Sequence, residues 1–147
     1  MNYKQINLMN EIRIWKFKKR VLPQHTDHAG VMWHGTYFNW LEESRIDSLN
    51  KAGIKYTEII NKGFEMPVYN AQIKYLLPIK IGEEITITSS FKINNGPRIT
   101  VDSKFYQKEL CHSIAALELV LINKETFKPV RNRPKFIDIY LRNLCRV

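Results

Sequence analysis

One long helical segment followed by a series of strand-like segments constrains the fold of this chain most strongly. Residues 34–52 carry large apolar side chains such as Leu41 and Leu49 at helical spacing, which predicts an amphipathic helix. Tyr37 and Trp40 broaden its apolar surface. A helix that is apolar on so many sides must be covered on most of them, so we expect a sheet to wrap around it.

Strand-like alternation of apolar and polar residues precedes this helix once and follows it several times. The predicted strands are 13–21, 69–75, 85–93, 99–106 and 114–122. The last is almost continuously apolar, which predicts a central strand buried on both faces, and its Glu118 would then need a polar partner. An Asn-Asn-Gly-Pro turn at 94–97 separates the third and fourth strands. Residues 55–62 and 136–144 predict two shorter helices.

This order of elements predicts an α+β fold, in which a curved antiparallel sheet of about five strands wraps around one long central helix. At 147 residues the chain fits one domain, which we place at 1–147. A five-stranded open sheet leaves two edges unpaired. Pairing of subunits edge to edge would protect them, so we expect at least a dimer.

Composition and cysteine usage indicate the class of protein. Hydrophobic residues make up 44% of the chain, enough for a real core, and no segment approaches the ~18 consecutive apolar residues of a membrane span. The first eleven residues contain no continuous apolar run. Cys111 and Cys145 have no CxxC spacing, which favours reduced, structural thiols. We expect a soluble cytoplasmic protein.

The net charge of +9 is concentrated at the two ends of the chain. Residues 1–23 hold six Lys/Arg and one acid, and residues 124–147 hold seven Lys/Arg and two acids, whereas residues 24–123 hold ten against eleven. Basic ends suit a polyanionic partner, either nucleic acid or the phosphates of a nucleotide-bearing substrate such as coenzyme A. A solvated surface that serves solubility alone explains the same lysines equally well.

The residues most suited to chemistry lie just before the long helix, at positions 25–37. Asp27 lies in a predicted loop whose Gly30 permits a tight backbone approach, and the helix starts near His34 or Gly35. Free N–H groups at a helix start stabilise negative charge, as the oxyanion of a thioester or ester carbonyl requires. A carboxylate there could attack directly or activate water. The alternative is that Asp27 only caps a turn.

The sequence Thr-Asp-His-Ala-Gly-Val-Met-Trp-His-Gly-Thr-Tyr-Phe at 26–38, with the following Leu41-Glu42, resembles the hotdog-fold acyl-CoA thioesterases of the 4-hydroxybenzoyl-CoA thioesterase family. The expected strand order agrees with that family over most of the chain. Within the family, the stretch is most similar to the 1,4-dihydroxy-2-naphthoyl-CoA hydrolases of phylloquinone (vitamin K1) biosynthesis.

The resemblance implies a role for each matching position. Asp27 matches the catalytic aspartate, which acts as nucleophile or as base for water. His34 matches the position at the helix start whose backbone N–H polarises the thioester carbonyl. Four further positions match residues around the substrate: Gly30, Trp33, Gly35 and Tyr37.

The implied reaction is hydrolysis of an aryl-CoA to an aryl acid and free coenzyme A, with no metal and no redox cofactor, since coenzyme A is part of the substrate. In family members the active site forms between subunits, so we expect a homodimer or a homotetramer built from two dimers, and neither nucleic acid nor membrane as a partner. The basic residues suited to the nucleotide phosphates are Arg98, Arg131, Arg133 and Lys135.

Several alternatives stay open at this point. A short- or medium-chain acyl-CoA or acyl-carrier-protein thioesterase is close, because family membership does not fix the substrate, and His28 departs from some relatives in a way that affects pocket polarity. A metal-dependent hydrolase could use His25, Asp27, His28 and His34. A dehydratase or isomerase could use His34 for proton abstraction. The non-enzyme alternative is a basic nucleic-acid-binding protein, although no recognition motif supports it.

Overall fold

The computed structural model describes residues 11–146. The first ten residues, which hold part of the basic N-terminal block and most of the stretch without an apolar run, lie outside the described residues. Within residues 11–146 no helix has both the length and the apolar character needed to cross a bilayer.

The elements follow the predicted order. In chain order they are β1 (Trp15–Arg20), α1 (His34–Lys51), α2 (Tyr56–Asn61), β2 (Phe64–Glu65), β3 (Val68–Tyr75), β4 (Glu84–Ile93), β5 (Arg98–Gln107), β6 (Leu110–Val120), β7 (Ile122–Asn123) and α3 (Lys135–Cys145). A single turn of 3₁₀ helix, Pro23–His25, lies between β1 and α1. The long helix thus begins at His34, as the sequence predicts.

The main sheet has five antiparallel strands in the order β1-β4-β5-β6-β3. β4, β5 and β6 form a meander, β1 pairs with β4 on one side, and β3 pairs with β6 on the other. Helix α1 contacts β1 and β4, and α3 contacts β4. The expected α+β architecture, a sheet against one long helix, is confirmed.

The inner face of the sheet supplies much of the core. Ile85, Ile87 and Phe91 alternate along β4 and are buried, as period-two patterning predicts. A short polar row interrupts this apolar face where α1 crosses the sheet. The Ser89 Oγ lies 3.3 Å from the Ser44 Oγ of α1 and 2.7 Å from the Ser103 Oγ of β5, and all three side chains are buried.

Strand β6 differs from the prediction in its length and in its burial. It begins at Leu110, after a tight turn in which Lys108 adopts φ +53°. Its burial alternates, and the outward-facing Ile114 is 39% exposed, so the prediction of a strand buried on both faces is wrong. Apolar composition fails as a guide here because every second side chain of the strand is only partly covered within residues 11–146. Glu118 does have a polar partner, since the Asn70 amide donates to it at 2.9 Å.

Strand β3 is one edge of the main sheet, and its surroundings are apolar and open. Among the described residues it pairs only with β6. Large side chains along it and just after it are exposed: Val68, Tyr69, Tyr75, Leu76 and Leu77. An edge of this kind is a template for pairing with another strand.

Candidate active site

The loop that carries Asp27 is a compact turn between the 3₁₀ segment and α1. The Gly30 N–H donates to the Asp27 carbonyl at 3.1 Å, and the Asp27 N–H donates to the Val31 carbonyl at 2.9 Å. Gly30 has φ +75°, a conformation that favours glycine. This glycine therefore lets the chain reverse and bring Asp27 toward the start of α1.

The two oxygens of the Asp27 carboxylate have different surroundings. Oδ1 accepts hydrogen bonds from the backbone N–H groups of Ala29 at 2.8 Å and Val31 at 3.3 Å. Oδ2 has no hydrogen-bond donor within residues 11–146. Asp27 therefore caps the turn through Oδ1, as the alternative interpretation of the sequence predicts. Its second oxygen, Oδ2, remains able to act on a substrate or on water. The turn-capping role and a chemical role are compatible.

The start of α1 presents free backbone donors beside this carboxylate. Trp33 is the residue before the first helical turn, and its carbonyl accepts from the Thr36 N–H at 2.9 Å. The N–H groups of His34 and Gly35 have no acceptor in the described part of the chain. Both donors therefore remain able to bind an oxyanion.

Asp27 and the helix start open onto one cavity of about 440 Å³. Aromatic residues line one part of it and apolar residues of the segment after β3 line another; the full lining is Asp27, Val31, Met32, Trp33, His34, Tyr37, Tyr75, Leu76, Leu77 and Pro78. The structure thus brings Asp27, Trp33, His34 and Tyr37 together, with Gly30 and Gly35 adjacent in the chain.

Tyr37 is a neutral aromatic group in this cavity. Its ring lies 4.9 Å from that of Tyr75 and 5.2 Å from that of Phe105, measured between centroids. Burial, reinforced by the negative charge of an ionised Tyr75, raises the pKa of Tyr37 to about 12. Its hydroxyl therefore keeps its proton at neutral pH.

The four basic residues predicted for coenzyme A phosphates separate into two groups. Arg98 and Arg131 are exposed and line a second cavity of about 480 Å³, together with Tyr69. Arg133 instead donates to Asp138 at 3.0 Å and also to the Gly96 carbonyl. The Arg133 hydrogen bond holds the pKa of the Asp138 carboxyl below its ordinary value. Lys135 is exposed at the start of α3 and lies outside the lining of both cavities.

The histidines near the loop do not share a ligand geometry. His25 accepts from the Leu22 N–H through Nδ1 and packs edge-on against Trp40 at 5.2 Å between ring centroids. His28 is exposed. Within residues 11–146, no three His, Cys, Asp or Glu side chains come together as a set of metal ligands.

One residue beside the cavity has no signal in the sequence. His112 lies on β6, is 5% exposed and directs its Nδ1 at the Pro78 carbonyl, 3.0 Å away. It stands far from the 25–37 stretch in the chain, and an isolated histidine in a strand gives no motif. Only the pairing of β3 with β6 brings it to the cavity wall.

Most of the chain matches the sequence profile of one known protein family. The profile of the thioesterase-like superfamily matches residues 21–136. Among solved structures, the DHNA-CoA thioesterase from Staphylococcus aureus superposes with a TM-score of 0.80 at 25% identity, covering 88% of this chain and 87% of that one. The hotdog fold implied by the sequence is thus confirmed.

Three related sequences carry esterase or thioesterase names. A provisionally named esterase of Synechocystis sp. is 38% identical over 46% of this chain, and the match spans only 41% of that relative's length. A provisionally named acyl-CoA thioesterase of Bacillus subtilis is 29% identical over 77% of this chain and 83% of its own. The 1,4-dihydroxy-2-naphthoyl-CoA hydrolase of Thermosynechococcus vestitus is 27% identical over 54% of this chain and 56% of its own.

Proposed function

The chain belongs to the thioesterase-like superfamily, and from that membership we propose that it hydrolyses a coenzyme A thioester. One observation carries the proposal. Asp27, whose Oδ2 has no donor within residues 11–146, and His34, whose backbone N–H has no acceptor there, line one cavity. A carboxylate and an oxyanion site are the two parts that thioester hydrolysis without a metal requires.

In the proposed mechanism, the thioester carbonyl binds with its oxygen at the start of α1. The His34 N–H stabilises the negative charge that develops on this oxygen, an effect typically worth about 3–4 kcal/mol per donor in comparable sites. Oδ2 of Asp27 either removes a proton from water, which attacks the carbonyl carbon, or attacks that carbon itself to form an anhydride that water then hydrolyses. In both routes the C–S bond breaks, and the thiolate leaves as coenzyme A and takes up a proton.

The acyl group of the proposed substrate is aromatic. Trp33, Tyr37 and Tyr75 line the cavity, and aromatic rings pack favourably against one another in stacked or edge-on arrangements. The names of the Staphylococcus aureus and Thermosynechococcus vestitus relatives support 1,4-dihydroxy-2-naphthoyl-CoA in particular. With that substrate the product is 1,4-dihydroxy-2-naphthoate, and the enzyme acts in phylloquinone biosynthesis.

A second candidate is a short- or medium-chain acyl-CoA or acyl-carrier-protein thioesterase. Met32, Leu76 and Leu77 give the same cavity an aliphatic side, which suits an alkyl chain. The name of the Bacillus subtilis relative points the same way. The two candidates share the roles of Asp27 and His34 and differ only in the acyl group.

The proposed enzyme assembles its site from two subunits. Tyr69 borders the Arg98 cavity and Tyr75 borders the Asp27 cavity, and six residues of extended strand separate them by about 20 Å. If β3 pairs antiparallel with β3 of a second copy, the Tyr69 end of one strand meets the Tyr75 end of the other. Arg98 of the partner subunit then lies near the cavity that holds Asp27.

The nucleotide end of coenzyme A is therefore assigned to the partner's Arg98 and the partner's Arg131, both of which are exposed in a single chain. Guanidinium groups bind phosphates through two parallel hydrogen bonds. The proposed assembly is a homodimer, or two such dimers as a tetramer. It works without metal or redox cofactor in the cytoplasm, where both cysteines stay as free thiols.

The test is thiol release by the purified protein from 1,4-dihydroxy-2-naphthoyl-CoA, benzoyl-CoA and several fatty acyl-CoAs, each repeated with Asp27→Asn. Fast, Asp27-dependent release from the naphthoyl thioester supports the aryl proposal. Preference for a fatty acyl-CoA replaces it with the second candidate. If no thioester releases thiol, both thioesterase candidates are overturned. The next measurement is then nucleic-acid binding as a function of salt concentration.

A further inference from the structure

A buried histidine fixes one wall of the Asp27 cavity through both its backbone and its ring. The His112 carbonyl accepts hydrogen bonds from the N–H groups of Leu76 at 2.9 Å and Leu77 at 3.1 Å. The His112 Nδ1 lies 3.0 Å from the Pro78 carbonyl. These are the three consecutive residues that line the cavity after β3.

The ring contact defines the form of the histidine. A carbonyl oxygen only accepts hydrogen bonds, so Nδ1 must carry the hydrogen and donate it. The neutral form then has a bare Nε2, which is buried and has no hydrogen-bond partner within residues 11–146. Burial of an unsatisfied polar atom costs about 1–3 kcal/mol, which is comparable with or greater than the roughly 0.5–1.5 kcal/mol gained from a neutral hydrogen bond. The hydrogen bonding of the ring thus adds little net stability to the fold.

The wall that His112 holds is also connected to the catalytic loop. The residue after Pro78, Ile79, accepts from the Met32 N–H at 2.7 Å, and the Ile81 N–H donates to the Gly30 carbonyl at 3.0 Å. Segment 76–81 therefore bridges β6 and the Asp27 loop. Its first half contacts His112 and its second half contacts the loop.

We infer that His112 is a positioning residue, whose Nδ1–H holds the Leu76–Pro78 wall at the distance that the acyl group of the substrate requires. The inference rests on the proposed function, because it assigns the acyl group to this cavity. His112 has no contact with the reacting atoms in this assignment. It acts on substrate binding and on the choice of acyl group.

The test compares His112→Asn, which keeps a donor near the position of Nδ1, with His112→Leu, which has none. His112→Leu should raise KM for the preferred thioester about fivefold or more and leave kcat within about twofold, because no group of the wall takes part in the chemistry. It should also reduce the preference between aryl and alkyl thioesters. His112→Asn should restore KM to near the wild-type value.

Ser113→Ala is the matched control. Ser113 is the next residue, is fully buried, and its Oγ donates to the Lys74 carbonyl of β3 at 2.7 Å, so it also joins β6 to β3 but away from the wall. This variant should lower the midpoint of unfolding and leave KM unchanged. Equal KM for His112→Leu and His112→Asn, or the same rise in KM for Ser113→Ala, would overturn the inference.

Hydrogen exchange separates failure of this inference from failure of the proposed function. The amides of Leu76 and Leu77 should exchange faster in His112→Leu than in the wild type and at the wild-type rate in His112→Asn, whether or not any thioester is hydrolysed. Unchanged exchange in His112→Leu contradicts the positioning role. A wild-type protein that releases no thiol, with exchange altered as expected, contradicts the function alone.

Discussion

The indole ring of Trp33 lies directly across Gly35. A Cβ added to Gly35 would lie 2.0 Å from the nearest ring atom and within 2.6 Å of two others, distances that no side chain tolerates. The ring is also 4.8 Å from that of His34, between centroids, and half exposed. Absence of a side chain at Gly35 therefore lets a tryptophan cover the first turn of α1.

Gly35→Ala should displace this ring and destabilise the protein, although alanine alone favours a helix over glycine by about 1 kcal/mol. The double variant with Trp33→Leu isolates the clash, because contacting residues give non-additive changes in the free energy of unfolding. In the Trp33→Leu background, Gly35→Ala should be neutral or stabilising by up to about 1 kcal/mol. Denaturant unfolding of the wild type, the two single variants and the double variant gives the four free energies of unfolding. If the effects of the two substitutions simply add, the position of the Trp33 ring does not require glycine at position 35.

Asp27→Asn should lower kcat for the preferred thioester by about 10²- to 10⁴-fold, the range typical of acid–base catalysis. The amide oxygen of asparagine can still accept from Ala29 and Val31, so the turn and the melting temperature should stay close to those of the wild type. Asp102→Asn, an exposed aspartate on the outer sheet face, is the control for loss of a carboxylate. Near-normal turnover of Asp27→Asn would remove Asp27 from the mechanism.

His34→Ala should cost less activity than Asp27→Asn, because the proposed oxyanion donor is a backbone N–H that the substitution retains. Steady-state kinetics of both variants on one thioester compare the two losses directly. A larger loss at His34 would assign the chemistry to its imidazole.

Tyr37 should make the stability of the protein fall at alkaline pH. Its pKa is raised from 10.0 to about 12 in the folded protein, so the unfolded chain ionises first and stability decreases as the pH rises from 10 toward 12. Two pKa units correspond to about 2–3 kcal/mol. Between pH 9 and pH 12, Tyr37→Phe should therefore lose less unfolding free energy than the wild type by about that amount. Equal losses would contradict the assignment.

Arg98→Ala should raise KM for a coenzyme A thioester and leave KM for the corresponding pantetheine thioester unchanged, because only the first carries the nucleotide. Lys18→Ala removes an exposed charge from β1 and serves as the control for net charge. A KM increase of about tenfold corresponds to loss of roughly 1.4 kcal/mol of binding. Equal effects on both thioesters would place the phosphates elsewhere.

Periodicity predicted the long helix and the strands because large apolar residues recur at the spacing of each element. It missed the start of β6, where Lys108 and Glu109 form a turn without the Gly, Asn or Pro that usually marks one. Lys108 adopts a positive φ that its residue type does not announce. The strand therefore begins four residues before the predicted position.

The motif indicated the loop and the helix start, since Asp27, Gly30 and His34 lie close together in the chain. Contacts that form only when distant parts of the chain fold together could not be predicted from a local motif. His112 reaches the cavity through the register of β3 with β6. Arg133 differs from Arg98 because it donates to Asp138 and to the Gly96 carbonyl, which folding brings to it from the turn before β5. The spacing of the basic residues does not distinguish an arginine that forms an ion pair within the chain, such as Arg133, from one that lines a cavity, such as Arg98.

The row of hydroxyls between α1 and the sheet bears on how accurately the proposed oxyanion donors are placed. Apolar surfaces can slide past one another at small cost, whereas the Ser44 hydroxyl meets the Ser89 hydroxyl, itself paired with Ser103 within the sheet, only at one setting of the helix along its axis. A shift by one residue moves a helix 1.5 Å and would take the buried Ser44 hydroxyl away from this partner, at about 1–3 kcal/mol. This polar contact near the middle of α1 thus fixes the axial position of its first turn.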